Sequence, residues 1–344
     1  MNAVFRVGIT SDALDSNGQP SFGTEPLAIL EADPNIAWEY LPERVGAITA
    51  EHCARYDAIY VLSASVPAEA VARADCRLRL VARHGVGFDS VDVAAMTAAG
   101  VMVTNTPAAV RRPVATMAIT YMLALTQKML VKDRLTRSGR WFERTDHMGA
   151  GLTGRTLGVV GAGGIGREFL RMASIFEMRM LAADPKADRA DIEALSATLT
   201  DLDTLLREAD VVVLLCLLDE STHHLINART LGLMKKSAYL INCARGPIVD
   251  EKALYAALAA GRIAGAGLDV FEQEPTPADN PILTLDNVIV SPHALCWTDE
   301  MFRGIAQTGL MSVVDALNGR VPKHLVDPAV LRHPRVSAAL AGKP

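Results

Sequence analysis

Thr156-Leu157-Gly158-Val159-Val160-Gly161-Ala162-Gly163-Gly164-Ile165-Gly166 runs from an apolar strand pattern into a glycine-rich turn, and a helix pattern follows over Arg167 to Ile175. That order is what a dinucleotide fingerprint requires. Gly161 permits the tight turn, Gly163 lets the backbone approach a pyrophosphate, and Gly166 lets helix and strand pack closely. The anion would sit on free N–H groups at the helix start, where the dipole favours negative charge. A second apolar strand, Met178 to Ala183, ends in Asp184, eighteen residues after Gly166. A carboxylate there accepts hydrogen bonds from both ribose hydroxyls and repels a 2′-phosphate, which favours NAD over NADP. Lys186 and Arg189 lie close by in sequence and keep an NADPH alternative open, since either could grip that phosphate. A glycine-rich turn between packed elements, with no ligand, is the plainer reading of the same residues.

At 344 residues, half of them hydrophobic and 21% charged, the chain is too long for one ordinary core and suits two domains. A net charge of −5 and the lack of any lysine-arginine run argue against nucleic acid as a partner. The longest buried-looking run, Ala209 to Leu218, is interrupted by Asp210 and too short to span a bilayer, so no membrane partner is expected. The N-terminal residues lack the basic and apolar regions of a secretory signal. Five scattered cysteines (Cys53, Cys76, Cys216, Cys243 and Cys296) show no CxxC spacing. They suit reduced thiols in a cytoplasmic protein, and no spacing points to a bound metal.

Apolar strands alternate with helical segments on both sides of the glycine loop. Phe5 to Ile9, Ala58 to Leu62, Leu78 to Ala82 and Val101 to Thr104 read as strands. Helical patterns cover Glu25 to Ala32, Ala68 to Ala74 and Val91 to Ala99. Asn105-Thr106-Pro107 breaks the pattern as a hinge. Long helices follow from Val114 to Leu130, with Pro113 in the first turn, and from Val131 to Gly139. Further strands are expected at Val211 to Leu215, Tyr239 to Asn242, Ala264 to Leu268 and Val288 to Val290. Helices are expected at Leu202 to Glu208, Glu251 to Ala260 and Asp299 to Leu317. The expected fold is α/β, with two doubly wound parallel-sheet, Rossmann-like domains. The dinucleotide domain, 108–300, is inserted into a discontinuous substrate domain, 1–107 plus 301–344, which the last helix completes.

Three polar residues fall just after predicted strands, where open α/β sheets place their sites. They are Arg245, Glu274 and His293. Hydride transfer to a carbonyl needs a proton delivered near neutral pH, and histidine is the natural carrier. A carboxylate on its far ring nitrogen would fix the tautomer, and an arginine fork would hold a carboxylate or a polarised carbonyl. Taken singly, each would more often be a surface ion-pair partner or a satisfied loop residue.

Together these segments resemble the D-isomer-specific 2-hydroxyacid dehydrogenases, the family of phosphoglycerate, glycerate and D-lactate dehydrogenases and glyoxylate/hydroxypyruvate reductases. The resemblance is carried by Gly85-Val86-Gly87-Phe88-Asp89-Ser90-Val91-Asp92, Asn105-Thr106-Pro107 and Leu152 to Gly158. It continues through Ile241 to Asp250, Gly265 to Pro275 and Asn287 to His293, and so covers nearly the whole chain. It implies that His293 is the general acid in reduction and base in oxidation, paired with Glu274. Arg245 and the backbone N–H groups of Val86 and Gly87 would bind the substrate's carboxylate and carbonyl. Gly164 and Ile165 would contact the pyrophosphate and Asp184 the adenosine ribose. Cys216, Cys243 and Ala244 would line the cofactor groove, and Asp269 would face the nicotinamide carboxamide. The substrate would be a small 2-oxo or 2-hydroxy acid, the cofactor NAD(H), and the assembly a homodimer built on the helices after residue 107.

Departures from the family pattern matter as well. His293 is followed by Ala294-Leu295-Cys296-Trp297 instead of small residues, and Trp297 either shapes the pocket rim or packs on the last helix. Arg111-Arg112 precede the long helix and would meet an anionic substrate tail or merely a partner subunit. Leu217 replaces a frequent proline, His84 reads as a pocket-wall or structural residue, and His223 and His224 read as solvated. An NADH-responsive co-repressor that binds peptides is the rival from another class. The intact Arg-Glu-His set weighs against it, and Glu274 weighs against formate-type chemistry.

Overall fold

The computed structural model describes Val4–Ala341. These residues form two compact units, one running through Val110 and resuming at Trp297, the other Arg111–Cys296. The first holds five parallel strands: β1 (Phe5–Ile9), β2 (Ile36–Tyr40), β3 (Ala58–Val61), β4 (Leu80–Arg83) and β5 (Met102–Thr104). Their order is β2-β1-β3-β4-β5. Val7 pairs with Ala58, Ala58 with Leu80, and Leu80 with Met102, so like-facing residues line up across the sheet. On one face Val7, Ala58 and Leu80 pack against Phe302, Ala306, Leu310 and Val313 of the helix Asp299–Leu317. On the other, Ile59, Val61 and Val81 pack with Cys53 and Met96. Burial on both faces explains why these strands read as continuous apolar runs.

The second unit holds seven parallel strands: β6 (Thr156–Val160), β7 (Arg179–Ala183), β8 (Ala197–Leu199), β9 (Val211–Leu214), β10 (Tyr239–Asn242), β11 (Gly265–Leu268) and β12 (Val288–Val290). The order β12-β11-β10-β9-β6-β7-β8 reverses direction between β6 and β9. Ligands bind in open α/β sheets at that reversal. Two doubly wound sheets, the second inserted in the chain of the first, constitute the fold.

Several local expectations are corrected. The long helix begins at Pro107 instead of Val114 and runs to Thr126, with Pro113 inside it. Pro107 occupies the opening position, where a missing N–H costs nothing, so Pro113 is the one that interrupts the ladder. Ala68–Val71 forms only a 3₁₀ turn, and the helix of the glycine loop starts earlier, at Gly164. The edge strands β2 and β8 were not anticipated. Among the described residues no single helix is long and apolar enough to cross a membrane.

Candidate active site

The glycine loop closes β6. Gly161 has φ +92°, and a Cβ there would lie 2.4 Å from the Cys216 backbone nitrogen at the end of β9. A Cβ on Gly166 would lie 2.1 Å from the Gly161 carbonyl oxygen, whereas one on Gly163 would meet nothing within 4 Å. Close packing is therefore required at the two flanking glycines, and the middle of the loop is open. The helix Gly164–Ala173 opens there, and its first-turn N–H groups have no intrahelical acceptor.

Asp184 follows β7. Its Oδ2 accepts from the Ala162 N–H at 2.8 Å and its Oδ1 from the Lys186 N–H at 2.8 Å. Each oxygen keeps a lone pair for a hydroxyl, so the carboxylate is both fixed and available. An exposed loop with open N–H groups and a held carboxylate at the neighbouring strand end fit a dinucleotide's diphosphate and ribose. Arg189 lies 3.6 Å from Glu193, an exposed pair on its own helix. Burial pushes the Cys216 thiol up to about 11, and raises Cys243 as well. Both behave as small hydrophobes, as does Ala244, which is buried next to Cys243 in the chain.

Arg245, Glu274 and His293 follow β10, β11 and β12, three adjacent strands of one sheet. His293 Nδ1 lies 2.8 Å from Glu274 Oε2, and Glu274 Oε1 accepts from the Phe271 N–H at 3.0 Å. Partial burial raises the Glu274 pKa, but the hydrogen bond and charge of His293, with the Phe271 N–H and the charge of Arg245, together outweigh it, and the net shift is downward. The carboxylate is thus held ionised beside the imidazole, which leaves Nε2 as the nitrogen able to face a substrate. His293 itself has φ +53°, a left-handed conformation unusual for a non-glycine residue. Its N–H donates to the Asp269 carbonyl at 2.7 Å.

The Arg245 loop is held by residues to which the sequence assigns no role. Asn242, 1% exposed, accepts from the Ala244 N–H at 3.0 Å and donates to the Arg245 carbonyl at 2.9 Å. A Cβ on Gly246 would lie 1.8 Å from the Phe271 carbonyl oxygen, so the arginine loop rests directly on the segment carrying Glu274. His223 is exposed and His224 partly so, as expected; His224 also lies 2.6 Å from Glu272 and stacks on His223.

Asp269 is buried, and its Oδ1 accepts from the Ser291 hydroxyl and from the Ala294 and Leu295 N–H groups, the latter two at 3.1 Å. The Tyr121 hydroxyl of the long helix has Ser291 Oγ and the Leu268 carbonyl, 3.0 Å away, as alternative acceptors for its one proton. These bonds fix the backbone on both sides of His293. The departure Ala294-Leu295-Cys296 therefore spans anchored N–H groups and a buried thiol, which burial raises to about 12. The signals available in sequence were the polar residues Asn242 and Ser291, each placed at the end of an apolar run.

In the first unit, the Gly85–Gly87 loop follows β4 by way of His84. Gly85 has φ +113°, and its N–H donates to Thr106 Oγ1 at 3.0 Å. Asn105 Nδ2 donates to the Val86 carbonyl at 2.9 Å, so the expected hinge also shapes this loop. His84 is buried against Tyr60 and Phe302, which makes it structural. Trp297 packs edge-on against Phe302 with ring centroids 5.0 Å apart.

A family model described as "D-isomer specific 2-hydroxyacid dehydrogenase, NAD binding domain" matches residues 119–294. The chain belongs to this family. It is 40% identical over 260 residues to a glyoxylate reductase of Korarchaeum cryptofilum, covering 74% of this chain and 78% of that protein. It is 39% identical over 257 residues to glyoxylate/hydroxypyruvate reductase B of an Enterobacter species, covering 74% and 79%. A crystal structure of a glyoxylate reductase from Paecilomyes thermophila superposes with a TM-score of 0.82 at 28% identity, covering 95% of this chain and 99% of that one. The protein is accordingly a 2-hydroxyacid dehydrogenase, an NAD-dependent oxidoreductase that interconverts 2-oxo and 2-hydroxy acids.

Proposed function

We propose that this dehydrogenase reduces a short 2-oxo acid, such as glyoxylate or hydroxypyruvate, to the (D)-2-hydroxy acid, with NADH preferred over NADPH. The observation that carries the proposal is the 2.8 Å pair of His293 and Glu274, set beside the Arg245 strand end in one sheet. Arg245 binds the substrate's carboxylate and draws charge from its carbonyl oxygen, helped by the N–H groups of Val86 and Gly87. Bound NADH supplies the hydride. His293 gives its Nε2 proton to the carbonyl oxygen, and Glu274, bonded at Nδ1, holds the ring orientation. In oxidation the same nitrogen takes the hydroxyl proton back.

Gly161, Gly163, Gly164, Ile165 and Gly166 form the diphosphate cradle, and Asp184 takes the ribose hydroxyls. Cys216, Cys243 and Ala244 line the groove, and the remaining oxygen of Asp269 faces the carboxamide. In this reading Arg111–Cys296 is the cofactor unit, and the unit resuming at Trp297 is the substrate unit. The exposed apolar side chains of Met129, Leu130, Trp141 and Phe142 support a homodimer, and five free cysteines support a reducing, cytoplasmic setting.

The test is the loss of NADH absorbance with a panel of short 2-oxo acids, NADPH being run in parallel. Turnover with glyoxylate or hydroxypyruvate is expected. His293→Gln should lower kcat by about a hundredfold or more, the usual cost of losing a general acid. Turnover near wild type in that variant would exclude His293 as the proton donor.

A further inference from the structure

Arg111 and Arg112 are neighbours on the long helix, and their side chains reach different places. Arg112 Nη1 lies 3.5 Å from Glu168 Oε1, and Arg171 Nη2 engages the same oxygen at 2.7 Å. Arg111 makes no ion pair among the described residues and is exposed. Its guanidinium lies over Gly164 instead, one helical turn before Glu168 on the same helix. A Cβ at Gly164 would be 2.7 Å from Arg111 Nε and 3.2 Å from its Cζ. Gly164 does not have the positive φ that would itself demand glycine. Its missing side chain is what makes room for the guanidinium. A cation with no carboxylate in ion-pair contact among the described residues, though its charge still reaches Glu168, thus stands beside Gly164 at the start of the loop helix. Two positive sources converge there, the fork of Arg111 and the start of the loop helix.

We infer that Arg111 is a diphosphate-binding residue, whose guanidinium completes with the Gly164 and Ile165 N–H groups a cradle for the dinucleotide's two phosphates. This rests on the assignment of the glycine loop as the cofactor site. It gives the arginine pair a division of labour: Arg112 braces the loop helix through Glu168, and Arg111 contacts the ligand. A planar fork can bridge an oxygen on each phosphate, which a lysine cannot do.

The test compares wild type, Arg111→Ala and Arg111→Lys by calorimetric titration with NADH, ADP-ribose and adenosine. Loss of a charge-assisted bond should raise the Kd of Arg111→Ala for NADH and for ADP-ribose by roughly tenfold or more. Adenosine, which carries no phosphate, should bind wild type and Arg111→Ala alike. Arg111→Lys should recover part of the loss. Unchanged NADH affinity in Arg111→Ala, with wild type binding normally, would overturn the role of Arg111 and leave the cofactor site standing. An equal loss for adenosine would overturn it too, because the defect would then lie in the fold of the loop. Failure of the wild type to bind NADH or ADP-ribose would instead remove the cofactor-site assignment on which the inference depends.

Discussion

Replacing Asn242 by alanine should disable the enzyme through Arg245, although Asn242 has no expected contact with the substrate. The side chain is almost fully buried and serves two backbone groups, the Ala244 N–H at 3.0 Å and the Arg245 carbonyl at 2.9 Å. Each group left without a partner costs about 1–3 kcal/mol, so Asn242→Ala should lose about 2–6 kcal/mol in urea denaturation. The arginine would also lose the brace that aims it. A displacement of about 1 Å at a substrate-positioning group can cost about a hundredfold in rate, and a similar drop in kcat/KM is expected with glyoxylate or hydroxypyruvate. Asn242→Asp separates the two bonds: it keeps an acceptor for Ala244 and loses the donor to Arg245. A double-mutant cycle with Arg245→Ala isolates the path of the effect. If Asn242 acts by placing Arg245, the double variant should be no less active than Arg245→Ala alone. Full additivity, or an Asn242→Ala enzyme with wild-type stability and kcat/KM, would refute the reasoning.

Gly246→Ala places a Cβ where the Phe271 carbonyl stands, 1.8 Å away, so the arginine and glutamate loops must separate; kcat/KM should fall by about a hundredfold or more in steady-state assays. Asp184→Ala removes a carboxylate held by two backbone N–H groups, and titration should show weaker NADH binding with NADPH now bound comparably. Burial pushes the His84 pKa down from 6.5 to about 3, with Arg83 adding to the shift. The unfolded chain therefore takes up a proton that the folded one refuses. That stability is fully present above about pH 6.5 and is lost as pH falls towards 3, at up to about 1.4 kcal/mol per pH unit. Urea midpoints across that window should show a shallower decline in His84→Gln, and parallel slopes would exclude His84 as the source.

The doubly wound plan was readable because strands buried on both faces leave unbroken apolar runs, such as Val211 to Leu214, with little else to mean. Edge strands leave no such mark. Ile36–Tyr40 alternates half-buried and exposed residues, and Ala197–Leu199 is only three residues long. The long helix was misplaced because two prolines competed for one rule, and only the packed chain decides which opens the helix. Arg245, Glu274 and His293 were legible because side-chain chemistry narrows what such residues do at strand ends. Asn242, Gly246 and Tyr121 were not. Their work is done on backbone groups of segments far apart in sequence, and Gly246 carries no functional group at all. Arg111 and Arg112 read as an equivalent pair, and only the positions of Glu168 and Gly164 tell them apart.

The late position of the helix Asp299–Leu317 bears on how the chain emerges from the ribosome. The sheet begun by Phe5–Ile9 has one apolar face only partly covered, by Phe22, Leu27 and Leu30, until Phe302, Ala306, Leu310 and Val313 have been synthesised. Arg111–Cys296 is complete before that point and can condense while its predecessor waits. The part translated first is therefore the part finished last. Over that interval its open face is an aggregation risk, and a nascent-chain chaperone would have its binding site there.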